Sequence, residues 1–181
     1  MDNKFTLKKA LKHLKLVLTH KHYVFLASIE AGIPFRGLMH DLSKFSPAEF
    51  IASVKYYRGD KSPIDVEKEI KGYSYAWLHH RGRNPHHWEY WIDNLSSGGE
   101  ALKMPLKYVK EMICDWIGAG KAYDFENWNY NVPFDRFNKL YNSGKLKIHL
   151  DTYKLIFQIL SDYKNRKSSL KKIIKDASKY Y

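Results

Sequence analysis

Residues 37–50 read GLMHDLSKFSPAEF. His40 and Asp41 stand side by side, after Leu38-Met39 and before Leu42, on what reads as the inner side of a short helix over 35–44. The plain explanation is a helix-capping or surface pair. The sharper one is a metal site, because a histidine supplies nitrogen and an aspartate oxygen to one ion. Adjacent helical residues point about 100° apart, so both can serve one ion only if it lies beside the helix between those directions. Lys44 follows three residues after Asp41 on the same side, where it suits a substrate phosphate or a surface salt bridge equally well. Ser46, Pro47 and Glu49 then form a capping-box signature, with Ser46 as N-cap, Pro47 at N1 and Glu49 reaching back.

Working outward, helix punctuation recurs and strand signals are almost missing. Residues 5–31 carry Leu7, Leu11, Leu14 and Leu18 at helical spacing until Gly32-Ile33-Pro34 stops the run. After the capping-box helix, which should end near Tyr57, Ser62-Pro63 open a helix expected to reach His80. RGRNP is read as a turn, with Asn84 capping and Pro85 starting another helix through Asn94, and SSGGE as a loop. Pro105 starts a helix to Tyr123, and further helices are expected near 134–142, 151–164 and 167–178. The expected architecture is all-α: one helical bundle over 1–165, with a basic amphipathic helix in 166–181 docked on it through Leu170, Ile173, Ile174 and Ala177.

A chain of 181 residues, 44% hydrophobic and 15% aromatic, has enough apolar surface for a real core. Its lone Cys114 excludes a disulfide framework and fits a reducing compartment, so a cytoplasmic location is expected. The first residues lack a signal-peptide pattern, and no apolar run approaches a membrane span. The formal charge of +12 is concentrated in lysines at both ends, at helical spacing. Taken singly these read as solvated faces; together they attract anions such as phosphate esters or nucleic acid.

The titratable residues narrow the chemistry. Two histidine pairs, His79-His80 and His86-His87, bracket a turn of five residues that can bring them face to face. His20 sits in the most apolar part of the first helix, where the plain reading is a hydrogen-bonded core histidine, and His22 is a rival. Asp115 stands mid-helix in MICDWIGAGKAY, where an unpaired buried carboxylate is costly. Gly118 and Ala119 leave room beside it, which suggests a carboxylate aimed into a pocket.

A histidine in the first helix, a His-Asp doublet in the second and a lone aspartate in a late helix of an all-α chain resembles the HD superfamily of metal-dependent phosphohydrolases, which has rarer oxygenase and lyase-like members. The match falls on His20, His40-Asp41 and Asp115, and HDLSK resembles the His-Asp-x-x-Lys variant of the branch that cleaves cyclic dinucleotides. That branch's Gly-Tyr-Pro turn is missing here, which argues against that substrate. More closely, HDLSKFSPAEF, HHRGRNPHHWEYW and DWIGAG look like an uncharacterised family of small bacterial and phage proteins.

The resemblance implies one or two divalent transition ions (Mn, Fe, Co, Ni or Zn). His20, His40, Asp41 and Asp115 would hold the first. His80, His86 and His87 would join a second or bind substrate, and Asp41 would bridge the two. Asp41 and Lys44 would act in catalysis. Lys44, His79, Arg81 and Arg83 would hold phosphate oxygens, and Trp77, Trp88, Tyr90 and Trp91 would stack a base unless they are core. The expected function is hydrolysis of a small phosphoester, a nucleotide being the leading candidate. A di-iron oxygenase and a non-catalytic nucleic-acid-binding module are the alternatives.

Overall fold

A computed structural model describes residues 3–93 and 99–181, and it is all-α apart from one small strand pair. The helices are α1 (Leu7–Glu30), α2 (Pro34–Met39), α3 (Pro47–Tyr56), α4 (Pro63–Lys71), α5 (Tyr75–Arg83), α6 (Leu106–Tyr123), α7 (Val132–Asn142), α8 (Leu150–Lys164) and α9 (Leu170–Ala177). Tight 3-10 turns cover Leu42–Phe45 and Trp88–Trp91. Strands β1 (Ile92–Asp93) and β2 (Glu100–Ala101) pair antiparallel, Ile92 opposite Ala101. The loop read at SSGGE lies for the most part outside the described residues. Among the described residues, no helix is long and apolar enough to cross a membrane.

α1 starts where Thr6 accepts a hydrogen bond from the Lys9 amide, and it ends before Gly32, whose φ of 75° is left-handed. α6 is the central element. Met112, Ile113, Trp116 and Ile117 are buried on it and pack with Val24 and Ala27 of α1, Phe137 of α7 and Ile156, Ile159 and Leu160 of α8. α9 closes the far side. Its Leu170, Ile173 and Ile174 are buried, and the Leu170 amide donates to Glu30 Oε1 of α1.

Several local expectations fail for identifiable reasons. The helix expected over 35–44 stops at Met39. His40 turns extended (φ −57°, ψ 133°) and Asp41 enters the left-handed region (φ 54°), so the doublet sits on a sharp chain reversal. Neither Ser46 nor Ser62 makes a side-chain cap, and Glu49, expected to close the capping box, binds two histidines instead. The helix expected from Ser62 to His80 is broken by Gly72 (φ 80°), and Ser74 caps α5 by accepting from the Trp77 amide. The helix expected from Pro85 to Asn94 is absent from the described residues. Asn84 turns back, its Nδ2 donating 2.7 Å to the His80 carbonyl, and only the short 3-10 turn follows.

Gly118 also has a different use from the one its sequence context suggests. A Cβ there would stand 2.4 Å from Val24 Cγ2 and 2.8 Å from the Val24 backbone nitrogen. The space beside Asp115 is therefore filled by α1, and this close approach lets His20, one turn before Val24, reach Asp115. Gly118→Ala is expected to destabilise the fold by about 1–3 kcal/mol, since backbone cannot yield as a side-chain tip can. Urea denaturation measures it.

His13, 6% exposed, packs against a tilted Phe50 ring and edge-on to Tyr57, with an Nδ1 that has no hydrogen-bond partner. Burial, helped by the charge of Lys44, lowers its pKa to about 4. The unfolded chain therefore binds this proton first as pH falls through about 6.5, which destabilises the folded state. Between pH 7 and pH 5 His13 should remove about 2 kcal/mol of stability. His13→Leu should show a correspondingly smaller loss over that interval in chemical denaturation.

Candidate metal centre

The reversal at His40-Asp41 turns both side chains inward. His40 Nε2 lies 3.3 Å from Asp41 Oδ2 and 3.4 Å from Asp115 Oδ1. His20 Nε2 lies 3.1 Å from the same Asp115 oxygen and 3.7 Å from Asp41 Oδ2. On the other side of Asp41, the Nε2 atoms of His80 and His86 are each 3.4 Å from Oδ1. Two donor groups result, His20/His40/Asp41/Asp115 and Asp41/His80/His86/His87, with the donor atoms of each group within 4.8 Å of one another. Asp41 belongs to both and turns one carboxylate oxygen to each. The left-handed backbone at Asp41 makes this possible. Such a φ costs a non-glycine residue on the order of 1 kcal/mol.

These atoms lack the partners that buried polar groups normally have. His20 Nε2, His40 Nε2, His86 Nε2, His87 Nε2 and Asp41 Oδ1 are all buried without a hydrogen bond. For three of the imidazoles around Asp41 the opposite ring nitrogen is held by a carboxylate. His40 Nδ1 and His86 Nδ1 lie 3.1 and 3.3 Å from Glu111 Oε1, and His80 Nδ1 lies 2.7 Å from Glu49 Oε2. A carboxylate at Nδ1 anchors that side of the ring and turns the Nε2 side toward the centre, the arrangement that orients metal-ligating imidazoles. For this reason the third donor group, His40/His86/Glu111, is an outer layer: it joins the ring nitrogens that face away from Asp41. Arg36 closes that layer, its Nε and Nη2 2.8 and 2.6 Å from Glu111 Oε2.

Electrostatics agree with the geometry. Four buried carboxylates, Asp41, Asp115, Glu49 and Glu111, face two side chains that carry a fixed positive charge, Lys44 and Arg36, so the surrounding imidazoles sit in a negative field within a chain of charge +12. Burial works against the ionised forms of Asp41 and Asp115, yet both stay well below the usual carboxylate range. His40, Lys44 and His80 hold Asp41 down, and His20 and His40 hold Asp115. Burial also disfavours a charged His40, but Asp41, Asp115 and Glu111 together push its pKa well above 6.5. Carboxylates that hold a buried imidazole in its cationic form provide a field that attracts cations. Burial, reinforced by neighbouring imidazolium charge, lowers His86 and sets His87 well below normal, so both keep free lone pairs.

The remaining candidates fall at different depths. Lys44 Nζ is 2.6 Å from Asp41 Oδ2, an ion pair without hydrogen-bond angles, and its side chain is 27% exposed. His79 is half-buried and bonds Glu49 Oε1 at 2.6 Å, one layer out from His80. Arg83 is exposed and donates to the His79 carbonyl of its own helix, while Arg81 acts on the carboxyl of Glu89; neither contacts the donor atoms. His22 is exposed beside Tyr23. Trp88 is core against Trp116, Trp91 donates to the Pro85 carbonyl, and Trp77 packs on His87, while Tyr90 is exposed. Glu49, Glu111, Arg36, Ser43 and Asn84 were not singled out from sequence as part of a site. Ser43 Oγ and Asn84 Nδ2 both lie 3.2 Å from His80 Nδ1. Glu111 had a signal: it precedes Asp115 by one helical turn, on the same face.

The molecule is thus an all-α protein with a buried His/carboxylate centre of metal-binding form. It belongs to DUF5662, a family of unknown function, which it matches over residues 9–162. Among curated proteins and among solved structures, none matches the chain.

Asp41→Ala is expected to abolish binding of divalent transition ions while leaving the helical content intact. Glu111→Gln should weaken binding by about 10–100-fold, because the two imidazoles it orients lose their anionic partner. Competition with a chromophoric chelator, followed by metal analysis, measures both.

Proposed function

We propose that this protein is a metal-dependent phosphohydrolase of the HD type, acting on a small phosphoester such as a nucleotide. The observation that carries the reading is the division of Asp41 between two buried donor groups, one oxygen to each. One group offers two nitrogens and two carboxylate oxygens, and the other three imidazoles and one oxygen. Such mixed sets suit Mn, Fe, Co, Ni or Zn and not Ca or Mg, which prefer oxygen. Bound there, a divalent ion supplies a water of lowered pKa and polarises a phosphoryl oxygen.

The chain's own residues do the rest. Asp41 fixes the spacing of the two groups. Glu111 and Glu49 keep His40, His86 and His80 with Nε2 turned inward. Lys44, partly open to solvent and beside Asp41, is placed to hold a phosphoryl oxygen and to stabilise the charge that develops on it. A second reading, a di-iron oxygenase, is favoured by the depth of the centre: every donor residue is buried, which suits a reactant as small as dioxygen.

With Mn²⁺, Co²⁺ or Ni²⁺, the protein should release phosphate from a nucleoside monophosphate or hydrolyse another phosphoester. Asp41→Asn and Asp115→Asn should abolish turnover, and Lys44→Ala should reduce it by about 10²-fold, the loss typical of one charge-stabilising donor. A screen of phosphoesters against each ion, with the Asp41→Asn protein as blank, decides the matter. Equal phosphate release by wild type and blank throughout would reject the hydrolase. An optical band on anaerobic loading with iron, altered by air, would then support the oxygenase.

A further inference from the structure

α1 carries a second apolar seam beside the face it buries in the core. Leu7, Leu11, Leu14 and Leu18 follow the 4-3-4 spacing of a coiled-coil stripe, which continues through Lys21, Phe25 and Ser28. α2 covers this latter half. Gly37 sits so close that a Cβ would lie 2.4 Å from Ser28 Cβ, and Lys21 Nζ donates to the carbonyls of Leu38 and His40 at 2.5 and 2.9 Å. α2 stops after six residues, because the chain must turn inward at His40-Asp41 to build the metal centre. Among the described residues, no helix covers the first half of the seam: Leu7 is 72%, Leu11 60% and Leu18 51% exposed. A shallow depression of about 550 Å³ runs along it, from Leu11 to Tyr23.

We propose that this open half-seam docks an acidic amphipathic helix of a partner protein, which continues along α1 the packing that α2 begins. The charge beside the seam selects the occupant. Lys8 and Lys15 are exposed one position after Leu7 and Leu14, in one row along the edge of the stripe, and Lys12 lies next to it. From Asn3 to Ile29 there is no acidic residue. A second copy would set these lysines against their own counterparts, on a chain already at +12. A helix with leucines in its seam and glutamates flanking them meets both the apolar stripe and the lysine row.

The test uses the full chain and a labelled synthetic helix about three heptads long, with Leu at a and d and Glu at e and g, which repels itself and stays monomeric. Fluorescence anisotropy should show saturable binding that weakens as salt is raised. The double variant Leu11→Glu/Leu18→Glu changes only exposed positions, and circular dichroism checks that it remains folded. It should bind at least about tenfold more weakly, the loss expected when seam anchors are removed. Absence of binding, unchanged binding by the variant, or equal binding of a peptide with Lys in place of Glu would overturn the proposal. So would leucine-dependent binding to phosphatidylserine vesicles without peptide binding, which would make the seam a membrane face. Leucine-dependent dimerisation in sedimentation, again without peptide binding, would assign it to a second copy and equally overturn the proposal.

Discussion

The organisation of this protein depends on the backbone reversal at His40-Asp41. A continuous helix over 35–44 would send the two side chains in divergent directions. With His40 extended and Asp41 left-handed, both enter the same space, and Asp41 presents a separate oxygen to each side. Lys21 holds the reversal from α1 by donating to the Leu38 and His40 carbonyls. Around this point five segments supply donors: α1, the reversal itself, α5, the stretch after Asn84, and α6.

Charge is distributed in two layers. The outside is lysine-rich, while the centre concentrates carboxylates beyond what Lys44 and Arg36 neutralise. A carboxylate buried without compensation would protonate or force the site open. Here each is engaged. Glu49 spans His79 and His80, Glu111 spans His40, His86 and Arg36, and Asp115 meets His20 and His40. The two glutamates do not face the Nε2 atoms; they fix which face of each imidazole does.

Much of this was legible in the sequence, and the failures share a cause. α1 was readable from apolar spacing and α6 from its opening proline; the doublet and Asp115 stood out as titratable residues among apolar neighbours, and the two histidine pairs because they bracket one turn. Helix ends were read by local chemistry alone, and tertiary bonds overrode it. Glu49 has the position of a capping-box residue, but a buried pair of histidines competes for it more strongly than one backbone amide. Asn84 looks like an N-cap, yet it turns back to the His80 carbonyl and ends α5. Gly118 reads as space for a pocket. The closeness of Val24 is a fact about another helix, and no local pattern contains it.

The spread of the donors along the chain ties the centre to folding itself. They run from His20 to Asp115, so an ion held by both groups would join segments almost a hundred residues apart in sequence. Bringing such segments together costs loop-closure entropy that grows only slowly with length, and ligands dispersed in an unfolded chain bind an ion poorly. Binding free energy would then add to folding free energy, and a bound ion would raise the stability of a bundle that also folds without it. An ion at Asp41 would act as a reversible cross-link among the helices, and chelation would loosen the bundle at the point where its segments meet.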